Sequence, residues 1–400
     1  MFSERTNWPS EVNDLTRFLR ARRSQGLPVA DLTESNPTRC GFDYGGQILK
    51  AFLNPNALQY APDPRGLVTA REAVVEYYAE RGAAIPPEQI FLTSSTSEAY
   101  SHIFRLLGNP GDEVLVPRPG YPLFDFLTRL NDLRVAGYPL AYDCGWRIDR
   151  AALERAITSR TRALLLVHPN NPTGSYIHLD ELDFLTGCCE SRGMALISDE
   201  VFADYARAGA AEPRAPTFAA EKRALTFTLS GISKISALPQ MKCAWLVVSG
   251  PDDLVGSAIE RLEMIADTYL SLSAAVACAL PELLKMRRTL QPQIRERLRL
   301  NLSRLDAALL AAPSASRLAI EAGWYAILQL PAIWSDEEWC LRLLREDGVL
   351  VHPGHFYDSP VEGHVVVSLL PPPEIFSEGI TKLLSRVEQG ASRAAAVNPS

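Results

Sequence analysis

Leu225–Gly250 reads LTFTLSGISKISALPQMKCAWLVVSG. Two apolar runs rich in β-formers flank a polar segment carrying Ser230, Ser233, Lys234 and Lys242. That pattern predicts strand, loop, strand, with two amines held near the loop. A lone SxxK-like spacing carries little weight, so the significance of Lys234 rests on what the rest of the chain brings to it.

Working outward, Ala195–Ile197 is the core of another strand, ending in SDEVFADY (198–205). Asp199 lies just beyond the apolar run, where burial is costly unless the carboxylate meets a cation or a donor. RALLLVHPNNPTGS (162–175) is a continuously apolar strand followed by two asparagines and two prolines, and GDEVLVPRPGYP (111–122) is a short strand with Tyr121 on the turn beyond it. Continuously apolar strands are expected in a parallel sheet covered on both faces. In QIFLTSSTSEAY, Ile90–Leu92 reads as a strand, and Ser95 with Glu98 has the S-x-x-E form of a capping box. Hydroxyls from Ser94, Ser95, Thr96 and Ser97 crowd a helix amino terminus able to receive a phosphate, although ordinary capping accounts for one or two of them.

Strands alternating with helical segments predict an α/β fold: a large domain with a mostly parallel central sheet flanked by helices, plus a smaller discontinuous α/β domain. The boundaries expected are 46–286 for the large domain, with 1–45 and 287–400 joining as the small one. A helix is predicted over 11–24, and leucines at 298, 302, 305 and 309 mark one packed face of a long helix over 287–311. A helix around Glu337–Glu346, strands at WYAILQLP and GHVVVSLLPPP, and a loose tail from Gly390 complete the small domain. Ligand sites in such folds gather at the carboxyl ends of strands, where Tyr121, Asn171, Asp199 and Lys234 all fall.

The 400-residue chain has formal net charge -7 and 22% charged residues, an ordinary composition that argues against nucleic acid as its main partner. No apolar run is long enough to span a bilayer, and the first residues lack the form of a secretory signal. Seven scattered cysteines without a CxxC suggest cytoplasmic thiols rather than a disulfide frame or metal site. Tyr60 precedes a stiff PDPRG turn in a segment without structure of its own, compatible with packing or with function. Asn36, before Pro37 in DLTESNPT, is biased towards an extended conformation that leaves its amide able to face a ligand.

Taken in order, Tyr60…Gly66, LTSSTSEA, PGYP, NNPTG, SDEVFADY, SGISKISALPQMK and VHPGHFYD resemble the class I/II pyridoxal-phosphate-dependent aminotransferases of the aspartate-aminotransferase-like fold type I. The resemblance implies pyridoxal 5'-phosphate bound as a Schiff base on Lys234, which then moves a proton in amino-group transfer to a 2-oxo acid or other carbonyl acceptor. It implies that Asp199 pairs with the pyridine nitrogen, Asn171 donates to the ring 3-oxygen and Tyr121 stacks on the ring. It places the phosphate against Ser95, Thr96, Ser233 and Lys242, with Tyr60 reaching across a homodimer interface, and sets Asn36 and Asn171 beside a small-molecule amine or amino acid.

Four positions depart from the family pattern. Ser95 replaces a glycine and would resist a backbone of positive φ. Phe202 replaces a tyrosine, removing a donor to the cofactor oxygen, and Lys242 replaces an arginine. Val366, in Val365-Val366-Val367-Ser368, stands where the resemblance implies an arginine that clamps the substrate carboxylate. Any replacement cation comes from elsewhere, with Arg17, Arg22, Arg39, His352 and His355 as candidates. The lost clamp also raises the alternative of a lyase or decarboxylase on an atypical amine. A regulatory module is disfavoured because no helix-turn-helix unit precedes the enzyme-like portion.

Overall fold

Thr161–Val167 and Ala195–Asp199 are buried along almost their whole length, and they form the centre of an eight-stranded sheet. In the computed structural model, which describes residues 1–8, 12–46, 48–207 and 213–397, its strands are Ile90–Thr93 (β1), Glu113–Arg118 (β2), Arg134–Tyr142 (β3), Trp146–Ile148 (β4), Thr161–Val167 (β5), Ala195–Asp199 (β6), Thr226–Gly231 (β7) and Ala244–Ser249 (β8). Their order is β1-β8-β7-β6-β5-β2-β3-β4. The pairs from β7 through β6, β5 and β2 to β3 are parallel, while β1, β8 and β4 run antiparallel to their neighbours. Separate apolar cores lie on its two faces, one including Phe104, Val116, Ile197 and Leu246 and another including Leu115, Leu164, Leu185 and Leu196. Burial on both faces explains why the central strands lack alternation.

The ends of the chain meet in a second unit. Ala30–Asp31 pairs in parallel with Val349–Leu350, and Ser316–Arg317 (β9), Tyr325–Gln329 (β10), His352–Pro353 (β11) and His364–Ser368 (β12) form an antiparallel sheet ordered β9-β10-β12-β11. Leu32 from the amino-terminal portion shares one core with Leu302, Trp339, Val365 and Phe376. Ala30 and Leu32 donate their backbone N–H groups to Gly348 and Leu350, which ties the first segment to the last third of the chain.

Local details differ from the sequence reading. The segment between β7 and β8 is not a plain loop, because Ile232–Ile235 forms a helical turn. The expected helix over 11–24 spans Asp14–Ser24, capped by Asn13. The Glu337–Glu346 region divides into an α-helix, Asp336–Arg342, and a wider turn, Leu343–Asp347. The tail expected to be loose from Gly390 continues the helix Pro373–Val397. Gly390 itself sits so close to Trp334 and Trp339 that a Cβ would lie 3.3 and 3.2 Å from their rings, and this packing holds the helix past the point where composition alone suggested an end.

The long helix Arg287–Leu309 connects the two units through a buried polar contact as well as through its leucines. Asn301, fully buried, donates through Nδ2 to the carbonyls of Leu369 and Pro371 at 2.9 and 2.8 Å, holding the chain as it leaves β12. Asn301→Ala leaves both buried acceptors without this donor and is expected to cost about 1–3 kcal/mol, read as a lowered urea midpoint at fixed protein concentration.

Candidate active site

The parallel strands place four sequence candidates at one edge of the large sheet. Asp199 ends β6 in register with Val167 of β5 and Leu229 of β7, Lys234 follows β7, and the turns after β2 and β5 carry Tyr121 and Asn171. The helical turn at Ile232–Ile235 aims Lys234, and its backbone is fixed from outside: Tyr205 donates its hydroxyl to the Lys234 carbonyl at 2.7 Å, and Gln291 donates to the Ile235 carbonyl at 2.9 Å. Lys234 Nζ lies 4.9 Å from the Trp324 ring centroid and 5.5 Å from that of Phe202. Burial of the amine favours its uncharged form and lowers its pKa from 10.5 to about 8, with the Asp199 carboxylate opposing the shift.

Asp199 is buried, and desolvation raises its pKa to about 6. Three features hold that rise back: the Val201 N–H at 3.1 Å from Oδ1, the Tyr100 hydroxyl at 2.8 Å from Oδ2, and the charge of Lys234. Tyr100 stays protonated because burial raises its own pKa well above 10.0, so it is the donor in this bond. Its ring packs on Phe104 and edge-on to Phe124. Tyr100, Tyr205 and Trp324 are the site residues that sequence reasoning missed. SEAY read as the start of an apolar helix face, and nothing local marks a phenol as reaching a strand ninety-nine residues away.

The two asparagines of NNPTG are both buried and both leave Oδ1 without a hydrogen-bond partner among the described residues, and they differ at Nδ2. Asn170 donates to the Pro119 carbonyl and to Thr173 Oγ1, both at 3.0 Å, and so builds the turn. The Asn171 side chain makes no hydrogen bond among the described residues, so its Nδ2 is open to donate to a ligand. A buried amide with an open position at the end of a strand fits a ligand contact better than a structural one.

At the head of the helix Thr96–Leu107 (α1), Ser95 Oγ accepts from the Glu98 N–H at 3.2 Å. The expected reciprocal bond is displaced by one residue, for Glu98 Oε2 accepts from the Ser94 N–H at 2.7 Å and from Ser271 Oγ at 2.7 Å. Ser95 has φ -163, an extended conformation open to any residue, so serine in place of glycine causes no strain here. Thr96 and Ser233 are partly buried, whereas Lys242 is exposed and holds a left-handed φ of 52. Phe202 is buried against Trp324 at 5.4 Å between ring centroids, which fills the position with apolar packing.

Tyr121 is 39% exposed, edge-on to Phe124. Tyr60, at 85% exposure, stands on the surface. Asn36 lines a cavity that also reaches Lys234, but its Oδ1 caps the following turn through the Thr38 N–H and hydroxyl, leaving its amide nitrogen for a ligand. Val366 is buried in β12 between Ile327 and His352. Of the proposed replacement cations, Arg17 pairs with Asp14, Arg22 binds the carbonyls of Pro28 and Arg345, and His355 faces Asp336. Arg39 and His352 do line the cavity, as does Arg23, which the sequence reading passed over.

These residues fit a pyridoxal-phosphate cofactor: an amine with lowered pKa, a buried acid held by two donors, an open buried amide and a helix amino terminus, all at or just beyond strand carboxyl ends on the same edge of the large sheet. Fold and site together define a pyridoxal-phosphate-dependent enzyme of fold type I. The profile of the family "Aminotransferase class I and II" matches residues 47–375, and the chain belongs to that family. It is 27% identical over 368 residues to the glutamate-pyruvate aminotransferase AlaA of Haemophilus influenzae, covering 90% of each chain. It is 29% identical over 365 residues to the alanine aminotransferase of Mycobacterium tuberculosis, covering 87% of this chain and 83% of the other. Among solved structures, an Escherichia coli aminotransferase superposes with TM-score 0.84 at 25% identity over 97% of this chain and 98% of that one. The Pyrococcus furiosus alanine aminotransferase shares the fold with TM-score 0.86 at 23% identity, covering 97% of this chain and 100% of that one.

Three outcomes follow from the geometry. Tyr100→Phe removes one of the two hydrogen bonds to Asp199, so its carboxyl pKa rises, its negative charge is less secure, and pyridoxamine phosphate binding by calorimetry weakens by roughly tenfold. The neutral form of Lys234 grows as pH passes about 8, so cofactor-free protein takes up pyridoxal phosphate faster from about pH 7 to about 9 and then levels off, where an ordinary lysine would continue to accelerate. Asp199→Asn moves that midpoint lower, because it removes the carboxylate that favours the ammonium.

Proposed function

We propose that Lys234 both carries the cofactor and moves the proton during amino-group transfer. The observation that supports this most strongly is its amine, enclosed by Trp324 and Phe202 with Asp199 close enough to oppose its loss of charge. The cofactor, when bound, supplies the electron sink that makes the substrate carbon acidic. Asp199 keeps a negative charge opposite the ring nitrogen, Tyr100 and Val201 hold that carboxylate in place, and Asn171 offers its amide to the ring oxygen. Tyr121, partly exposed at the turn after β2, would lie against the ring, and the head of α1 with Ser95, Thr96 and Ser233 would hold the phosphate, with Lys242 adding positive charge. An amine whose pKa is brought close to physiological pH is suited to accept and return a proton.

The chain works, in this reading, as a homodimer with Tyr60 contributed to the neighbouring subunit's phosphate. Support comes from the surface near α1: Leu49, Leu53, Leu58 and Tyr60 are exposed beside a cavity of about 910 Å3 that also touches Leu92, His102 and Ser271. A large apolar surface of this kind is typical of an interface. The free thiols, including the adjacent buried Cys188 and Cys189, support a reducing, cytoplasmic setting.

Mixing holoenzyme with amino donors is expected to convert the absorbance of lysine-bound cofactor to that of pyridoxamine phosphate, and Lys234→Ala is expected to slow this by roughly 10²–10⁴-fold. Release of ammonia or carbon dioxide without the pyridoxamine form would instead mark a lyase or decarboxylase. Tyr60→Phe is expected to weaken cofactor binding roughly tenfold. Reassociating Tyr60→Phe with Lys234→Ala subunits then restores one intact site per mixed dimer, seen as activity above the average of the two variants.

A further inference from the structure

A cavity of about 710 Å3 opens onto Lys234, and among the described residues Asp31, Glu34, Arg23, Arg39 and His352 supply its titratable groups besides the lysine. Its charges are already matched. Arg23 Nη2 lies 3.3 Å from Asp31 Oδ2, and Arg39 Nη1 lies 3.7 Å from Glu34 Oε2. In both pairs the acid is the deeper partner: the side chains of Asp31 and Glu34 are 26% and 24% exposed, against 60% and 74% for Arg23 and Arg39. The guanidinium groups therefore lean to solvent, while the carboxylates lie on the interior side.

On the side of the small unit the lining is neutral, supplied by His352 and Phe356. His352 is the register partner of Val366, and Val366 of Ile327, so no charge stands in that row of the small sheet, whose other two members are buried in the core beneath. His352 Nδ1 lies 3.1 Å from the Tyr357 hydroxyl, and burial lowers the imidazole's pKa below 6.5 despite Asp31, so the ring is uncharged at neutral pH. The nearby Tyr325 and Tyr357 are held as neutral phenols, since burial raises both pKa values. A carboxylate brought against this wall would lose its hydration without gaining a cation, while facing two acids.

We propose that the preferred amino donor carries no carboxylate on its amino-bearing carbon: it is a primary amine with hydrocarbon, hydroxyl-bearing or amide substituents, received by the neutral side chains of His352 and Phe356. This rests on the transamination reading above. In the half-reaction the donor carbon loses its hydrogen and nitrogen and gains oxygen, leaving as an aldehyde or ketone. The cofactor's aldehyde carbon loses oxygen and gains the nitrogen and hydrogen, so two electrons pass to it. The water released on condensation is taken up again when the carbonyl product leaves.

Holoenzyme is given matched donors that differ at the carboxyl group: alanine with alaninol and alaninamide, and phenylalanine with phenylalaninol and 2-phenylethylamine. Single-turnover conversion to pyridoxamine phosphate is expected to favour the carboxyl-free members by roughly tenfold or more in kcat/KM. Succinate and 3-phenylpropionate, carboxylates without an amine, are expected to leave the spectrum of lysine-bound cofactor unchanged. Preference for the amino acids, lost on Arg39→Ala or Arg23→Ala, would overturn the inference by showing a relocated clamp, while transamination itself would stand. Consumption of the carboxyl-free amines with ammonia release and no pyridoxamine phosphate would retain the donor class but overturn transamination. Failure of every carboxyl-free amine to react, or a saturable spectral response to the plain carboxylates, would also overturn the inference.

Discussion

The enclosure of the Lys234 amine together with the Asp199 carboxylate is the constraint on which the site depends. Each group alone is costly in a setting with little water, and each limits the other's shift: the acid resists loss of the lysine's proton, and the ammonium resists protonation of the acid. Their position follows from the sheet. Parallel strands β6 and β7 end side by side, so a residue closing one and a residue just beyond the other reach the same space. Helix α1 then contributes twice, with a capped amino terminus for an anion and, one turn on, the Tyr100 hydroxyl for Asp199.

Much of the remaining structure holds this pair still. Tyr205 and Gln291 grip the backbone around Lys234, and Gln291 belongs to the long helix that leads into the small sheet unit. Trp324 comes from the turn before β10, so the small unit also supplies one ring that encloses the amine. Motion of the two units relative to one another would therefore alter the surroundings of Lys234, which links the fold's connectivity to its chemistry. The same small unit supplies His352 and Phe356 to the cavity that reaches Lys234.

The family relationship accounts for how the cofactor is held better than for which amine is presented to it. Ser95, unlike glycine in chemistry, proves equivalent in conformation because its backbone is extended. Phe202 likewise keeps the packing of a ring while giving up a hydroxyl. Val366 is different in kind, since no apolar side chain replaces a charge, and the two arginines that do reach the cavity are already opposed by acids set deeper than themselves.

The strands Arg134–Tyr142 and Trp146–Ile148 at the sheet's far edge were not legible in the sequence by itself, but the α/β class, the central strands, the long amphipathic helix and the placing of Lys234, Asp199, Asn171 and Tyr121 at strand ends were. They are carried by local signals: apolar runs that stop at turn formers, helical spacing of leucines, and reactive side chains just past strand ends. Tertiary structure alone decided what surrounds them. Tyr100 reaches Asp199, Trp324 encloses Lys234, Gly390 packs on two tryptophans, and Arg23 and Arg39 face Asp31 and Glu34 only because distant segments fold together. The physical reason is one of range. Secondary structure is written in the preference and periodicity of neighbours, whereas desolvation and charge pairing depend on which residues, remote in the chain, come to share the same low-dielectric space.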